Sequence, residues 1–315
     1  MRQLNSWVKR LALLPALAFL LLTGGCAELT VLDPKGPVGS AQKDLIMFSI
    51  ILMLVIVVVV FVLFTYMLVK YRDRPNRDEK DYDPDHEGNT MLEIVWTIIP
   101  FIIVGALSVP TVITIMDLEE PPEATSDKEP LVVYATAADW KWFFSYPEQG
   151  IETVNYLHIP TDRAIEFRLS SADSMASIWI PALGGQKYNM AGMETKLYLQ
   201  ADEEGTYDGR NSNYNGSGFA EHTFEVIAQN EEEFVDWADE VSNNAPELSQ
   251  DEYDAMLAPG LVEEQEFSST HLEYVDHGTN EGRDYTVERY GPDVYENKLH
   301  LKGGRGVEEG AGSND

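Results

Sequence analysis

Leu45-Ile46-Met47-Phe48-Ser49-Ile50-Ile51-Leu52-Met53-Leu54-Val55-Ile56-Val57-Val58-Val59-Val60-Phe61-Val62-Leu63-Phe64-Thr65-Tyr66-Met67-Leu68-Val69 is a run of twenty-five residues without a charge. At about 1.5 Å of rise per residue, a helix of this length exceeds the roughly 30 Å hydrocarbon core of a bilayer. The reading is a first transmembrane helix over 45–69. Residues 91–116 form a second apolar span, broken by Pro100 and Pro110 and carrying Glu93 near its start. The loop between them, 70–90, holds Lys70, Arg72, Arg74, Arg77 and Lys80. Basic residues beside membrane spans stay in the cytoplasm, and the loop's seven acidic residues contribute little to orientation. Residues 26–44 and everything after 116 are therefore expected on the outer side.

The N-terminus agrees with export. Arg2, Lys9 and Arg10 precede the apolar run Leu11–Leu22, and Thr23-Gly24-Gly25-Cys26 follows. This reads as a signal peptide over 1–25, which is excluded from the fold. The four residues resemble a bacterial lipobox, with Thr23 where Leu is common, and the resemblance implies a lipid on Cys26. Plain cleavage or an uncleaved anchor is the alternative. Cys26 is the only cysteine, so an intrachain disulfide framework and any metal site needing two or more thiolates of this chain are excluded.

Beyond the second span, Pro121, Pro122 and Pro130 mark a linker within a β domain assigned to 117–230. Leu131–Thr136, Trp140–Tyr146, Ala164–Leu169, Ser177–Pro181, Thr195–Leu199 and His222–Ile227 are short β-prone runs separated by Gly, Pro, Asn and Asp. Such a series predicts a β-sandwich or Greek-key barrel. Glu231–Val241 and Ala245–Leu257 read as helices within an extension over 231–277, with Pro246 near the start of the second. Residues 278–315 are polar, charged and glycine-rich, and are expected to form a flexible acidic tail.

The chain carries a formal net charge of −31, and residues 117–315, with 42 acidic and 12 basic side chains, account for −30 of it. A domain of this sign repels nucleic acid, anionic lipid and acidic partners. Solubility in high salt and partner selection are both open as its reason. The six histidines, His86, His158, His222, His271, His277 and His300, show no close pairing at ligand spacing, and a solvated surface is expected for them. Trp140, Trp142, Phe143, Phe144 and Tyr146 are expected to serve core and interface packing, as are Met190 and Met193. There is no Ser–His–Asp arrangement, phosphate-cradling glycine loop or hydrolytic carboxylate pair.

Asn89-Thr90-Met91-Leu92-Glu93-Ile94-Val95-Trp96-Thr97-Ile98-Ile99-Pro100, Trp140-Lys141-Trp142-Phe143, Tyr146–Asn155 and Pro181–Met193 together resemble subunit II of haem–copper oxidases, and the last two resemble its quinol-oxidase branch. Phe267-Ser268-Ser269-Thr270-His271-Leu272 is similar to an extension of menaquinol oxidases, though the choice between ubiquinol and menaquinol stays open. The resemblance covers roughly residues 20–277. It implies a two-helix transmembrane hairpin, an external all-β cupredoxin-like sandwich and a short α-helical C-terminal extension. It also implies a place for Glu93 at the cytoplasmic mouth of a proton pathway into subunit I.

Copper-bearing members of that family hold a dinuclear centre, CuA, on one upstream His and a Cys-x3-Cys-x3-His-x2-Met run. The equivalent stretch here is Gly209–Val226, aligned without a gap. Asn211 and Asn215 stand where the cysteines belong, Phe219 replaces the His, His222 replaces the Met, and Ala176 replaces the upstream His. A copper–thiolate site needs a cysteine, and Cys26 is far away in sequence. The resemblance therefore implies a second subunit with no cofactor of its own. Quinol, haem and the oxygen-reducing copper would belong to subunit I. Partners would be subunits I, III and IV and membrane lipid, with no nucleic acid and no cytochrome c. The alternative from another class is a membrane-anchored cupredoxin-like lipoprotein that only binds or assists assembly; copurification with haem separates the two.

Overall fold

The computed structural model describes residues 29–72, 88–122, 128–286, 288 and 289. Cys26, His86, His300, most of the 70–90 loop and the end of the acidic tail lie outside the described residues.

Two helices are long and apolar enough to cross a membrane, α1 (Pro37–Lys70) and α2 (Thr90–Asp117). Pro37 opens α1 at its first turn, where a missing N–H costs nothing and the fixed φ suits the helix. The 34 residues of α1 span about 51 Å. That is more than a bilayer core needs, and the surplus first turns enter the β domain. Lys35 N–H donates to the Ala182 carbonyl (2.7 Å), Gly39 N–H to Leu183 (2.9 Å), and Asp202 N–H to Lys35 (2.8 Å). Val38 joins the domain core with Leu183 and Leu199. In α2, Asn89 caps the N-terminus by accepting from Met91 N–H (3.0 Å) and Leu92 N–H (3.2 Å). The break expected at Pro100 and Pro110 does not occur: α2 is one continuous helix through both. Prolines are tolerated in membrane helices, where hydroxyls help to satisfy the backbone. Thr97 and Thr111 donate to the carbonyls of Glu93 and Leu107, each within a turn of the Trp96 or Ala106 carbonyl that a proline leaves without its N–H donor.

Among the described residues eleven strands form two sheets. They are β1 (Leu131–Ala138), β2 (Lys141–Tyr146), β3 (Ile151–Val154), β4 (Tyr156–Pro160), β5 (Ile165–Ser171), β6 (Ala176–Trp179), β7 (Lys187–Asn189), β8 (Thr195–Leu199), β9 (Gly205–Asn211), β10 (Thr223–Gln229) and β11 (Gln265–Phe267). The six-stranded sheet runs β11-β3-β2-β1-β5-β8, and the five-stranded sheet runs β4-β10-β9-β6-β7. The pairs β1–β5 and β4–β10 are parallel. The expected sandwich is therefore present. It includes β3, β4, β7 and β9, which carry no extended β-prone run because they are short or, in β9, rich in Gly, Asp and Asn.

Strand β2 explains the layering. Successive side chains alternate between faces. Trp142, Phe144 and Tyr146 enter the core between the sheets, with Val133, Phe167, Ile178 and Val226. Phe143 points the other way, into a second apolar cluster with Tyr253, Met256, Leu257 and Phe267. The six-stranded sheet is thus covered on both faces.

The C-terminal extension supplies that second cover. Helix α3 (Glu231–Asn244) is the exception: capped by Asn230, which accepts from Glu233 N–H, it buries Phe234, Ala238 and Val241 at helical spacing against the core between the sheets. Helix α4 is Gln250–Leu257 and not Ala245–Leu257. Ser249 caps it by accepting from Glu252 N–H, so it starts four residues after Pro246. The extension also returns as β11, antiparallel to β3. Residues 280–286 are helical, with Thr286 buried, so the loose tail does not begin at 278. Tyr285 fastens this segment by donating from its hydroxyl to Asp254 (2.8 Å).

Gly36 sits where α1 meets the domain, and a Cβ there would fall 1.9 Å from the Gln200 carbonyl oxygen. Gly36→Ala is expected to destabilise the protein by about 1–3 kcal/mol through overpacking. A lowered thermal unfolding midpoint of the detergent-solubilised protein checks this; an unchanged midpoint counts against the socket.

Candidate functional site

The positions singled out in the β domain come together. Asn211 ends β9, His222 precedes β10 and Ala176 opens β6, which pairs with β9 at Ile178 and Asn211. Asn211 N–H donates to the His222 carbonyl (2.9 Å), closing the base of the 212–221 loop. The Asn211 side chain is saturated. Its Oδ1 accepts from Ser177 N–H and Asn213 N–H, each 2.9 Å. Its Nδ2 donates to the Asn213 carbonyl (2.7 Å) and to Asn215 Oδ1 (3.0 Å). Asn215 Nδ2 in turn lies within reach of Ser174 Oγ (3.2 Å), Asp139 Oδ1 (3.4 Å) and His222 Nδ1 (3.4 Å). Ser174 Oγ also bonds Asp139 Oδ1. Phe219 stands at the rim, packed on exposed Tyr214 at 5.5 Å.

The loop closes over Trp140, whose Nε1–H donates to the Asn215 carbonyl (3.2 Å). A Cβ at Gly218 would lie 2.3 Å from that indole, so only glycine allows the approach. Beneath it, His222 is fully buried with its ring 4.8 Å from Trp142. His222 Nε2–H donates to the Lys141 carbonyl (3.1 Å), which leaves Nδ1 to accept from Asn215. Burial is the main cause that pushes the His222 pKa down to about 4.

These positions do not fit a dinuclear copper centre. Bridging a copper pair needs soft thiolates, and the two positions hold amides whose hydrogen bonds are already spent inside the loop. Among the described residues no group of three or more His, Cys, Asp or Glu converges as metal ligands.

The four described histidines do not lie on the solvated surface expected for them. His222, His271 and His277 are buried, and His158 is half-buried, stacked on Trp237 at 4.2 Å. They fill aromatic niches and hydrogen-bond within the protein, a role that isolated spacing does not reveal. Trp142, Phe143, Phe144 and Tyr146 are core, while Met193 is exposed. Sequence reasoning also missed Lys141 and Glu152, both fully buried. The available signal was their parity in β2 and β3, which places them on the face covered by an amphipathic extension.

Glu93 lies elsewhere, in the first turn of α2, where a carboxylate is favoured by the helix dipole. It lines a shallow groove of 310 Å³ with Thr90, Ile94, Thr97 and Ile98. The helix from Glu93 to Asp117 separates it from the β domain by about 36 Å.

Residues 28–113 match the family model for the transmembrane domain of cytochrome c oxidase subunit II. The chain is 59% identical over 271 residues to quinol oxidase subunit 2 of Bacillus subtilis (strain 168), a match spanning 86% of this chain and 84% of that protein. The chain belongs to the quinol oxidase subunit 2 family. Another family member, from Bacillus anthracis, is 47% identical over 285 residues, covering 90% of this chain and 97% of its own. Among solved structures, the periplasmic domain of subunit II of cytochrome oxidase from Bradyrhizobium japonicum is similar at 22% identity with a TM-score of 0.35, covering 38% of this chain and 95% of that chain.

Two outcomes are expected of the loop. Asn211→Ala strands the buried Ser177 N–H and the Asn213 N–H, at about 1–3 kcal/mol per unsatisfied buried group, and denaturant unfolding reads the loss. His222 is neutral in the fold and ordinarily titrates near 6.5. Its contribution to stability is present above that value and is lost as the pH falls toward 4. Histidine-selective NMR should give it a midpoint near 4; a midpoint near 6.5 would mean an open loop.

Proposed function

We propose that this chain is the copper-free second subunit of a terminal quinol oxidase, a complex that oxidises quinol, reduces dioxygen to water and moves protons outward. The observation that carries the reading is the amide network of Asn211 and Asn215, which organises the loop by hydrogen bonds at the positions where the resemblance to copper-bearing oxidase subunits puts their ligands. Without a thiolate pair the chain offers cytochrome c no redox centre, so electrons reach the complex from membrane quinol through subunit I. Haem and the oxygen-reducing copper belong to that subunit.

The chain's own work is then structural and protonic. The two apolar helices pack against subunit I, with subunits III and IV and lipid as further neighbours. The β domain caps the outer face, and a lipid on Cys26 adds a second anchor. The polar 70–90 loop lies in the cytoplasm, which puts Glu93 at the cytoplasmic end of α2. A carboxylate at a membrane-helix end is costly unless solvated or paired, and such residues mark ion pathways. Glu93, open to its groove, receives protons for the pathway into subunit I.

The test uses the complex purified through a tag on this chain. Haem should copurify, and oxygen consumption should proceed with a quinol and not with reduced cytochrome c. Glu93→Gln should leave haem content intact and slow quinol-driven turnover by about tenfold, roughly 1.4 kcal/mol on the barrier. Absence of haem would favour a lone lipoprotein, turnover on cytochrome c would overturn the copper-free reading, and full turnover in the variant would remove Glu93 from proton uptake.

A further inference from the structure

The outward face of the six-stranded sheet carries a buried polar layer beneath the C-terminal extension. Lys141 Nζ donates to the carbonyls of Asp139 (2.9 Å), Met256 (2.7 Å) and Ala258 (2.7 Å), so its charge sits at the C-terminal end of α4, where the helix dipole favours a cation. Glu152 Oε2 accepts from Ser145 Oγ (2.7 Å), from His271 N–H (2.9 Å) and from His271 Nδ1 (2.7 Å). Tyr253 lies flat on His271, 4.7 Å between centroids at 5°. The Tyr253 hydroxyl is 2.8 Å from His277 Nε2, and His277 Nδ1 is 3.1 Å from the Gly282 carbonyl. Glu152, Tyr253, His271 and His277 are all fully buried, and each of the last three comes from the extension.

The hydrogen bonds fix the state of His277. The Gly282 carbonyl can only accept, so Nδ1 carries the proton and Nε2 must accept from the Tyr253 hydroxyl. A second proton on Nε2 would turn the Tyr253 hydroxyl from donor to acceptor and take from its hydrogen the acceptor it has in the fold. It would also place a buried cation 5.9 Å from the His271 ring. We infer that His277 is the catch of an acid-labile latch: its protonation frees residues 248–286 from the sheet while the sandwich stays folded.

The surroundings agree. Burial first, then His271, pushes the His277 pKa down to about 3 from an ordinary 6.5. The charged and titratable groups facing the site are Lys141 on β2, Glu152 on β3, Asp173 after β5, Tyr253 and Asp254 on α4, Tyr285 and Arg289 beyond, Glu194 beside Gly278, and Asp276 next to His277 itself. Arg289 is held by Asp254 (2.6 Å) and adds to the cost of a charged His277. Because the folded pKa lies below the ordinary one, the latch is at full strength above pH 6.5 and weakens as the pH falls toward 3.

Hydrogen exchange on the full chain in its purified complex, corrected for the intrinsic pH dependence, tests this. Peptides across 248–257 and 271–286 should lose protection by about tenfold or more between pH 7 and 4, since the linked equilibrium shifts by up to tenfold per pH unit. Peptides of β1 and β5 should keep theirs. His277→Gln offers a donor and an acceptor without a titrating group, so it should stay protected at pH 7 and lose the acid response. Tyr253→Phe keeps the ring stack and removes the hydroxyl, so it should shrink the response even if the glutamine variant fails to fold. Equal wild-type protection at both pH values, loss of sandwich and extension together, or an unchanged acid response in either variant would overturn the inference.

Discussion

The alternation of β2 governs the molecule. One short strand sends Trp142, Phe144 and Tyr146 between the sheets and Lys141, Phe143 and Ser145 to the opposite face. A residue slip would exchange the two sets and put Lys141 and Ser145 into the apolar core. Phe143, left in water, would expose a large apolar ring, and the extension removes it by laying Tyr253, Met256 and Phe267 against it. The third layer is thus a consequence of the second face of one strand.

The same strand links the candidate site to the extension. The Lys141 backbone carbonyl receives the His222 imidazole from the base of the 212–221 loop, while its ammonium holds the end of α4. The 212–221 loop is organised around amides, with Trp140 as a lid support and His222 as a neutral pillar. The polar groups of such a buried network are tolerable because nearly every one is paired. At the other end of the domain, Val38 and the backbone of Lys35 and Gly39 plug the start of α1 into the core.

Much of the fold is legible in the sequence. Leu45–Val69 and residues 91–116 declare spans because apolar length alone decides the matter in a bilayer. The main strands announce themselves by β-branched and aromatic runs, and the amides at Asn211 and Asn215 are visible residue by residue. The short strands β3, β4, β7 and β11 were not legible, since three to five residues carry too little periodicity to separate a strand from a turn. The continuity of α2 through Pro100 and Pro110 was likewise hidden, because local rules for proline are set by helices in water.

What the sequence determined by itself was chemical identity: two apolar spans, an acidic domain, one cysteine, and amides where thiolates would be needed to hold copper. Tertiary structure alone decided the surroundings. It buried His222, His271 and His277, which spacing placed on the surface, and it put Lys141 and Glu152 under the extension. The physical reason is that burial and hydrogen-bond partners come from segments distant in the chain. Glu152 meets His271 across 119 residues, and no local pattern records that meeting.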